Sequence, residues 1–241
     1  MVSERQAFIL DSATPQVIAI TFASGEKKAI FAEDKEQRRG RPLAIAFIDA
    51  TEAGGPGLVI ADSNRTVVMY KDGTVRIVPF AAPPNLQITD MAAFGRDLYA
   101  LDSAGHSVWK WSPSDGGFGQ APIKVLDSGD LSQAQRLMID NEIVTADADG
   151  TLRRFTGQVS LRLEAAGIDK RLVAPEAPQP LTKNGDIATL DAPNNRVVVL
   201  RRDGTFDRQY RHKDFQAMSA FTMFKDTAYI FSGGKLRRIA W

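Results

Sequence analysis

The chain has 241 residues, 44% hydrophobic and 24% charged, a balance that argues against disorder. Thirty Lys and Arg against 29 Asp and Glu leave a formal charge of +1, so the surface as a whole is not built for nucleic acid. Cysteine is absent, which excludes disulfides, thiolate nucleophiles and cysteine-ligated metals; there is also no apolar run long enough for a transmembrane helix.

The first predicted element, Ile9-Leu10-Asp11, is an apolar strand closing on Asp; a polar turn and a second strand entered at Val17 follow. The same unit returns along the chain as Ile60-Ala61-Asp62 with Val67, Ala100-Leu101-Asp102 with Val108, Thr145-Ala146-Asp147 with Leu152, and Thr189-Leu190-Asp191 with Val197. A sixth copy, Tyr229-Ile230-Phe231 with Leu236, puts Phe in the Asp position. The markers are 51, 40, 45, 44 and 40 residues apart. Upstream of each from the second on lies another apolar stretch: Leu43 to Ile48, Met91 to Phe94, Leu137 to Ile139, Pro180 to Leu181, and Ala220 to Phe224. Downstream, Lys71-Asp72-Gly73-Thr74 and Arg202-Asp203-Gly204-Thr205 read as hairpin turns, because Asp-Gly accepts positive φ between apolar runs. Only Leu131 to Ile139 and Arg211 to Phe224 offer any helical pattern.

Four antiparallel strands recurring about every forty residues predict an all-β fold, a six-bladed β-propeller of four-stranded antiparallel blades over residues 1–241. The first and last units each read one strand short. The expectation is therefore a single domain that forms the C-terminal part of a longer protein.

Asp191-Ala192-Pro193-Asn194-Asn195-Arg196-Val197, followed by Arg202-Asp203-Gly204-Thr205-Phe206, resembles the repeat of NHL-type propellers; Asp62-Ser63-Asn64-Arg65 with Lys71-Asp72-Gly73 is a weaker copy. The stretches Leu98 to Trp111 and Thr151 to Phe155 are similar to the C-terminal propellers of bacterial membrane proteins that carry a metal-dependent serine/threonine phosphatase-like domain. The resemblance covers the whole chain and implies a soluble domain displayed outside the cytoplasmic membrane. The phosphatase's own metal motifs are missing from this sequence, so its activity is not implied.

Candidate site residues lie in connections on one face of the blades. Asp11, Asp62, Asp102, Asp147 and Asp191 recur in every unit but the last, which predicts carboxylates that cap their own turns rather than a cation site. Arg38, Arg39 and Arg41 form a basic cluster suited to phosphate or a polyanion, although Glu33, Asp34 and Glu36 precede it. His106 and His212 sit in non-equivalent connections. Trp109 and Trp111 alternate on one strand and are expected to pack between blades, and Arg153-Arg154, Arg201-Arg202 and Arg237-Arg238 to coat the outer strands. Glu33, Glu36, Glu52, Glu164 and Glu176 all read as loop residues, so no inner-strand carboxylate supports a lactonase-like hydrolase. The expected function is a scaffold without catalytic residues, metal or cofactor, binding a protein or peptide partner through the connections Asp34 to Arg41, Asp127 to Gln133 and Ala165 to Pro180. Nucleic acid is not the expected partner, and nothing in the chain inserts into a membrane. Hydrolysis with a tunnel cation and polyanion binding are the alternatives.

Overall fold

The computed structural model describes residues 1, 3–11, 13–48, 56–114, 116–173, 176–181, 185–212, 215, 218–224 and 227–240. The chain forms two compact units, Met1–Asp127 and Ser128–Trp241. In the first unit, blade 1 holds β1 (Gln6–Asp11), β2 (Gln16–Thr21) and β3 (Lys27–Ala32). Blade 2 holds β4 (Pro42–Ile48), β5 (Gly57–Asp62), β6 (Val67–Lys71) and β7 (Thr74–Ile77). Blade 3 holds β8 (Asp90–Phe94), β9 (Asp97–Asp102), β10 (Ser107–Trp111) and β11 (Ile123–Asp127). In the second unit, blade 4 holds β12 (Ala134–Asp140), β13 (Glu142–Asp147), β14 (Leu152–Thr156) and β15 (Val159–Leu163). Blade 5 holds β16 (Glu176–Pro180), β17 (Ile187–Asp191), β18 (Arg196–Leu200) and β19 (Phe206–Arg211), and blade 6 holds β20 (Met218–Phe224), β21 (Thr227–Ser232) and β22 (Lys235–Ala240). Every strand pairing is antiparallel between strands adjacent in sequence. Helix among the described residues amounts to short 3₁₀ turns at 129–131, at 192–194 and around Phe215. Both segments with a helical pattern are mostly strand where they are described.

Period-two alternation explains how each blade is held. On blade 2, Ala44, Ala46, Ile48, Val59, Ala61, Val67 and Met69 enter one core with blade 3 residues Met91, Leu98, Ala100 and Trp111. The intervening Ile45, Leu58, Ile60, Val68 and Tyr70 enter a second core with Phe8, Val17, Ala19 and Phe31 of blade 1. Blade 5 repeats this: Ile187, Val198 and Leu200 pack toward blade 4, and Ala188, Leu190, Val197 and Val199 toward blade 6. A strand buried on both faces has no polar side, which is why Val197-Val198-Val199-Leu200 is apolar throughout. Each large aliphatic side chain so buried contributes about 1.5–3 kcal/mol.

Asp11 closes β1 as Asp62 closes β5, so β1 corresponds to a second strand and blade 1 has no described first strand. Backbone at Met1 lies on that edge: the Phe8 N–H donates to the Met1 carbonyl at 2.8 Å and the Met1 amine donates to the Phe8 carbonyl at 3.0 Å. Blade 6 has the first three strands and no described fourth. These two blades depart from the four-stranded expectation in the direction that the one-strand deficit anticipated.

The sixth marker needs correcting. Val67 pairs with Ala61, Val197 with Leu190, and Leu236 with Phe231, so Phe231 stands where the residue before Asp stands in other blades. Ser232 holds the marker position and is buried. Its turn is only Gly233-Gly234, both at positive φ, and a two-residue turn has no interior amides to cap.

Candidate functional site

A blade that runs as a meander brings its β–β turn after the second strand and the connection to the next blade to one side. Asp62 shows how its turn is fixed. Its Oδ1 accepts from the Asn64 and Thr66 N–H groups at 2.9 Å each, and its Oδ2 accepts from the Gly40 N–H at 2.8 Å. One carboxylate therefore ties the turn to the incoming connection. Asp102 accepts from the Gly105 N–H at 2.8 Å. Asp11 accepts from Ala13 and Thr14, and the Thr14 hydroxyl, ahead of the Thr14 and Ala13 amides, holds this carboxyl below its ordinary range. Turn capping thus accounts for these three.

Asp191 departs from that rule. Its partners are the Asn194 side-chain amide at 2.9 Å, Arg196 Nε at 2.7 Å, and the Val173 N–H, at 3.3 Å, from the connection between blades 4 and 5. Arg196, fully buried, also donates through Nη1 to Asp169 at 2.7 Å and Gln209 at 2.9 Å, and through Nη2 to the Lys170 carbonyl. In the sequence this arginine stands out only as part of a repeat, yet it fixes the connection 164–173. The Asn-x-Arg spacing after Asp191 was the available signal.

Asp147 is a second departure among the markers. It is buried, its Oδ2 accepts from Arg153 Nε at 3.1 Å, and its Oδ1 has no partner, as is also true of the buried Thr145 hydroxyl on the same strand face. Burial raises its pKa; Arg153 opposes this, and Asp149 and Asp130 add to it.

Arg38, Arg39 and Arg41 occupy a fixed connection. Asp34 and Arg39 exchange backbone bonds at 3.1 and 2.8 Å, Asp34 Oδ1 caps Glu36 and Gln37, and Asn64 Nδ2 donates to the Arg38 carbonyl at 3.1 Å. The Arg41 N–H donates to Ser63 Oγ at 3.0 Å. Arg38 and Arg41 are exposed, whereas the Arg39 guanidinium lies 5.7 Å from the centre of the Phe31 ring. Gly40 passes so close to Ser63 and Asn64 that a Cβ there would sit 2.5 Å from Ser63 Oγ.

The histidines do not join this cluster. His106 is exposed at the tip of its turn with φ 52°, and His212 is exposed beside the Phe215 ring at 5.8 Å. Trp111 is buried and donates Nε1–H to the Ala81 carbonyl at 2.9 Å, and Trp109 packs on the same core, as alternation predicted. Arg154 corrects the outer-strand reading of the arginines. It is buried and donates to Glu142 at 2.9 Å and to the Gly185 carbonyl at 3.0 Å, while Arg202 also meets Glu142 at 2.9 Å. Glu176 is the first residue of β16, not a loop residue; Glu52 lies outside the described residues. No three His, Asp or Glu side chains among the described residues gather to hold a metal ion.

Beside the 164–173 connection is a cleft of about 440 Å³ lined by Gly150, Thr151, Arg162, Leu163, Glu164, Ala165, Ile168, Arg171 and Leu172. Leu163 and Leu172 form a buried apolar floor.

No family model and no curated protein matches the chain. Solved structures do. A structure of a nidogen/laminin complex matches 98% of this chain and 89% of its own at 13% identity, with a TM-score of 0.68. Virginiamycin B lyase from Staphylococcus aureus matches at 11% identity and TM-score 0.61, covering 96% of this chain and 75% of its own. A streptogramin B lyase matches at 13% identity and TM-score 0.60, covering 96% and 77%. The fold is that of a six-bladed β-propeller. Identities this low carry the fold alone, and the neighbours include both enzymes and a protein found in complex with another.

Proposed function

We propose that the chain is a non-enzymatic binding module of NHL type that holds a protein or peptide partner on its inter-blade connections. The observation that supports this best is the fixing of two connections by buried side chains: 34–41 by Asp62, and 164–173 by Arg196 and Asp191. A loop already held in one shape loses little entropy when it meets a partner, which is the physical advantage of a rigid recognition surface. The histidines and marker carboxylates, by contrast, are engaged locally or stand apart. Display outside a bacterial membrane, behind a phosphatase-like domain, belongs to the same proposal.

The test is cross-linking of the chain to its partner followed by mapping of the linked positions. Links concentrated in 34–41 and 164–173, and lost when Arg38, Arg39 and Arg41 are changed to Ala, are the expected result. Links confined to the opposite hairpins at Gly73, Gly95 and Gly157 would overturn it. Affinity that falls steeply with salt and requires only a polyanion would establish the alternative reading of the arginine cluster.

A further inference from the structure

We infer that the cleft of blade 4 receives the C-terminal residue of a peptide, its apolar side chain on the floor and its α-carboxylate between Arg162 and Arg171. This deepens the binding reading and rests on it. The volume, about 440 Å³, suits one large side chain with its backbone rather than a flat protein surface. The floor of Leu163, Ala165, Ile168 and Leu172 calls for an apolar group.

The charges decide the rest. Arg171 makes no ion pair within 4 Å among the described residues, and Arg162 reaches only the exposed Glu164, at 3.5 Å. Asp149 is near enough to feel both guanidinium groups, but its Oδ1 is committed to the Thr151 N–H at 2.8 Å. The carboxyl is held low first by Thr151 and only then by Arg162 and Arg171. Two planar donors with loosely held counter-ions favour a carboxylate, which guanidinium binds in a bidentate fork. Asp169 is paired with Arg196 and Arg211, so this acidic neighbour on the far side of the connection does not cancel the pair. The wall is built in advance: the Phe206 N–H donates to the Ala166 carbonyl at 2.8 Å, and Arg196 anchors Lys170.

The experiment is a titration of the full ¹⁵N-labelled chain with acetyl-Gly-Ser-Gly-Phe bearing a free C-terminus, followed by amide shifts at Thr151 and Leu172. The same peptide amidated, and N-acetyl-phenylalanine, are the other arms. Saturable shifts with the free acid are expected, weakened about ten-fold by amidation or by Arg171→Ala, the size of one lost charge-assisted hydrogen bond. Arg171 is exposed, so an unchanged melting midpoint in the variant shows that the loss is local. No saturable shift at these amides, or equal binding of the amidated peptide, overturns the inference. N-acetyl-phenylalanine binding as tightly as the peptide overturns its peptide part. Because the probes are defined peptides, a negative result here leaves the cross-linking test of the connections standing, and the reverse also holds.

Discussion

Arg196 joins three segments through one guanidinium: its own hairpin at Asp191, β19 at Gln209, and the connection at Asp169 and Lys170. Removing one partner of a buried pair leaves the other charged and desolvated, so Arg196→Leu should lower unfolding free energy by about 3–5 kcal/mol, read by urea denaturation. Loss of less than about 1 kcal/mol would mean that water replaces the guanidinium there. Asp147 offers a pH-dependent contrast. Burial raises its folded pKa above the ordinary value of 3.8, so the native state binds the proton more tightly. Its favourable contribution is therefore complete below that ordinary value and is lost as pH rises through the raised one. Asp147→Asn should stabilise the chain at pH 7, and the gain should shrink as pH falls through the raised pKa and vanish below the ordinary value of 3.8. A gain that is constant with pH would show that titration is not its cause.

Among the elements, the connection 34–41 depends on Asp62 for one of its anchors. Asp62→Ala leaves the Gly40, Asn64 and Thr66 amides without this acceptor, at an expected cost of about 1–3 kcal/mol. Hydrogen exchange should quicken at these three amides and not at Val59 or Ile60 in the strand before them; uniform quickening would point to global loosening instead. The sequence was most legible at this scale where a local rule decides the geometry. Asp72-Gly73 forms the expected two-residue hairpin, with φ of 50° and 82° and Lys71 paired to Thr74. The near-identical Arg202 to Thr205 also turns a hairpin, one residue wider: the Arg201 N–H donates to the Thr205 carbonyl and the Gly204 N–H to the Arg201 carbonyl, both at 2.8 Å, with Gly204 at φ 88°. There a Cβ on Gly204 would also meet Leu163 at 3.0 Å, a close approach to blade 4 that the sequence around the turn does not announce. Glu176 was hidden for a related reason. Pro178 and Pro180 argue against a strand, yet β16 is first in its sheet and pairs on one edge only, which tolerates missing donors. Arg154 and Arg196 look like surface residues by type, and only their distant partners reveal burial.

For the molecule as a whole, period and alternation sufficed for six blades because strands such as β5, β6, β17 and β18 send alternate side chains to two cores, a pattern written in consecutive residues. The candidate site was less legible: the arginine connection is visible as a run of like charges, whereas the cleft at Leu163 and Leu172 is assembled from segments that no local pattern joins. Near-zero net charge has its own consequence. With a formal charge of +1 and an isoelectric point of about 7.9, mutual repulsion is weakest near pH 8. Solubility measured across pH should pass through a minimum there and recover on either side; a monotonic profile would show that patches rather than net charge control association.

The glycines at the tips of the other hairpins give the molecule a second use. Added atoms at Gly25, Gly73, Gly95 or Gly157 would meet nothing within 4 Å, and these turns lie opposite the connections within their blades. Exposed tips of this kind are where chains accept insertions. A fluorophore, an affinity handle or a grafted epitope placed in the Asp72-Gly73 turn would leave the Arg38–Arg41 loop untouched, so the chain can be tethered to a sensor surface through the end of blade 2 that faces away from that loop.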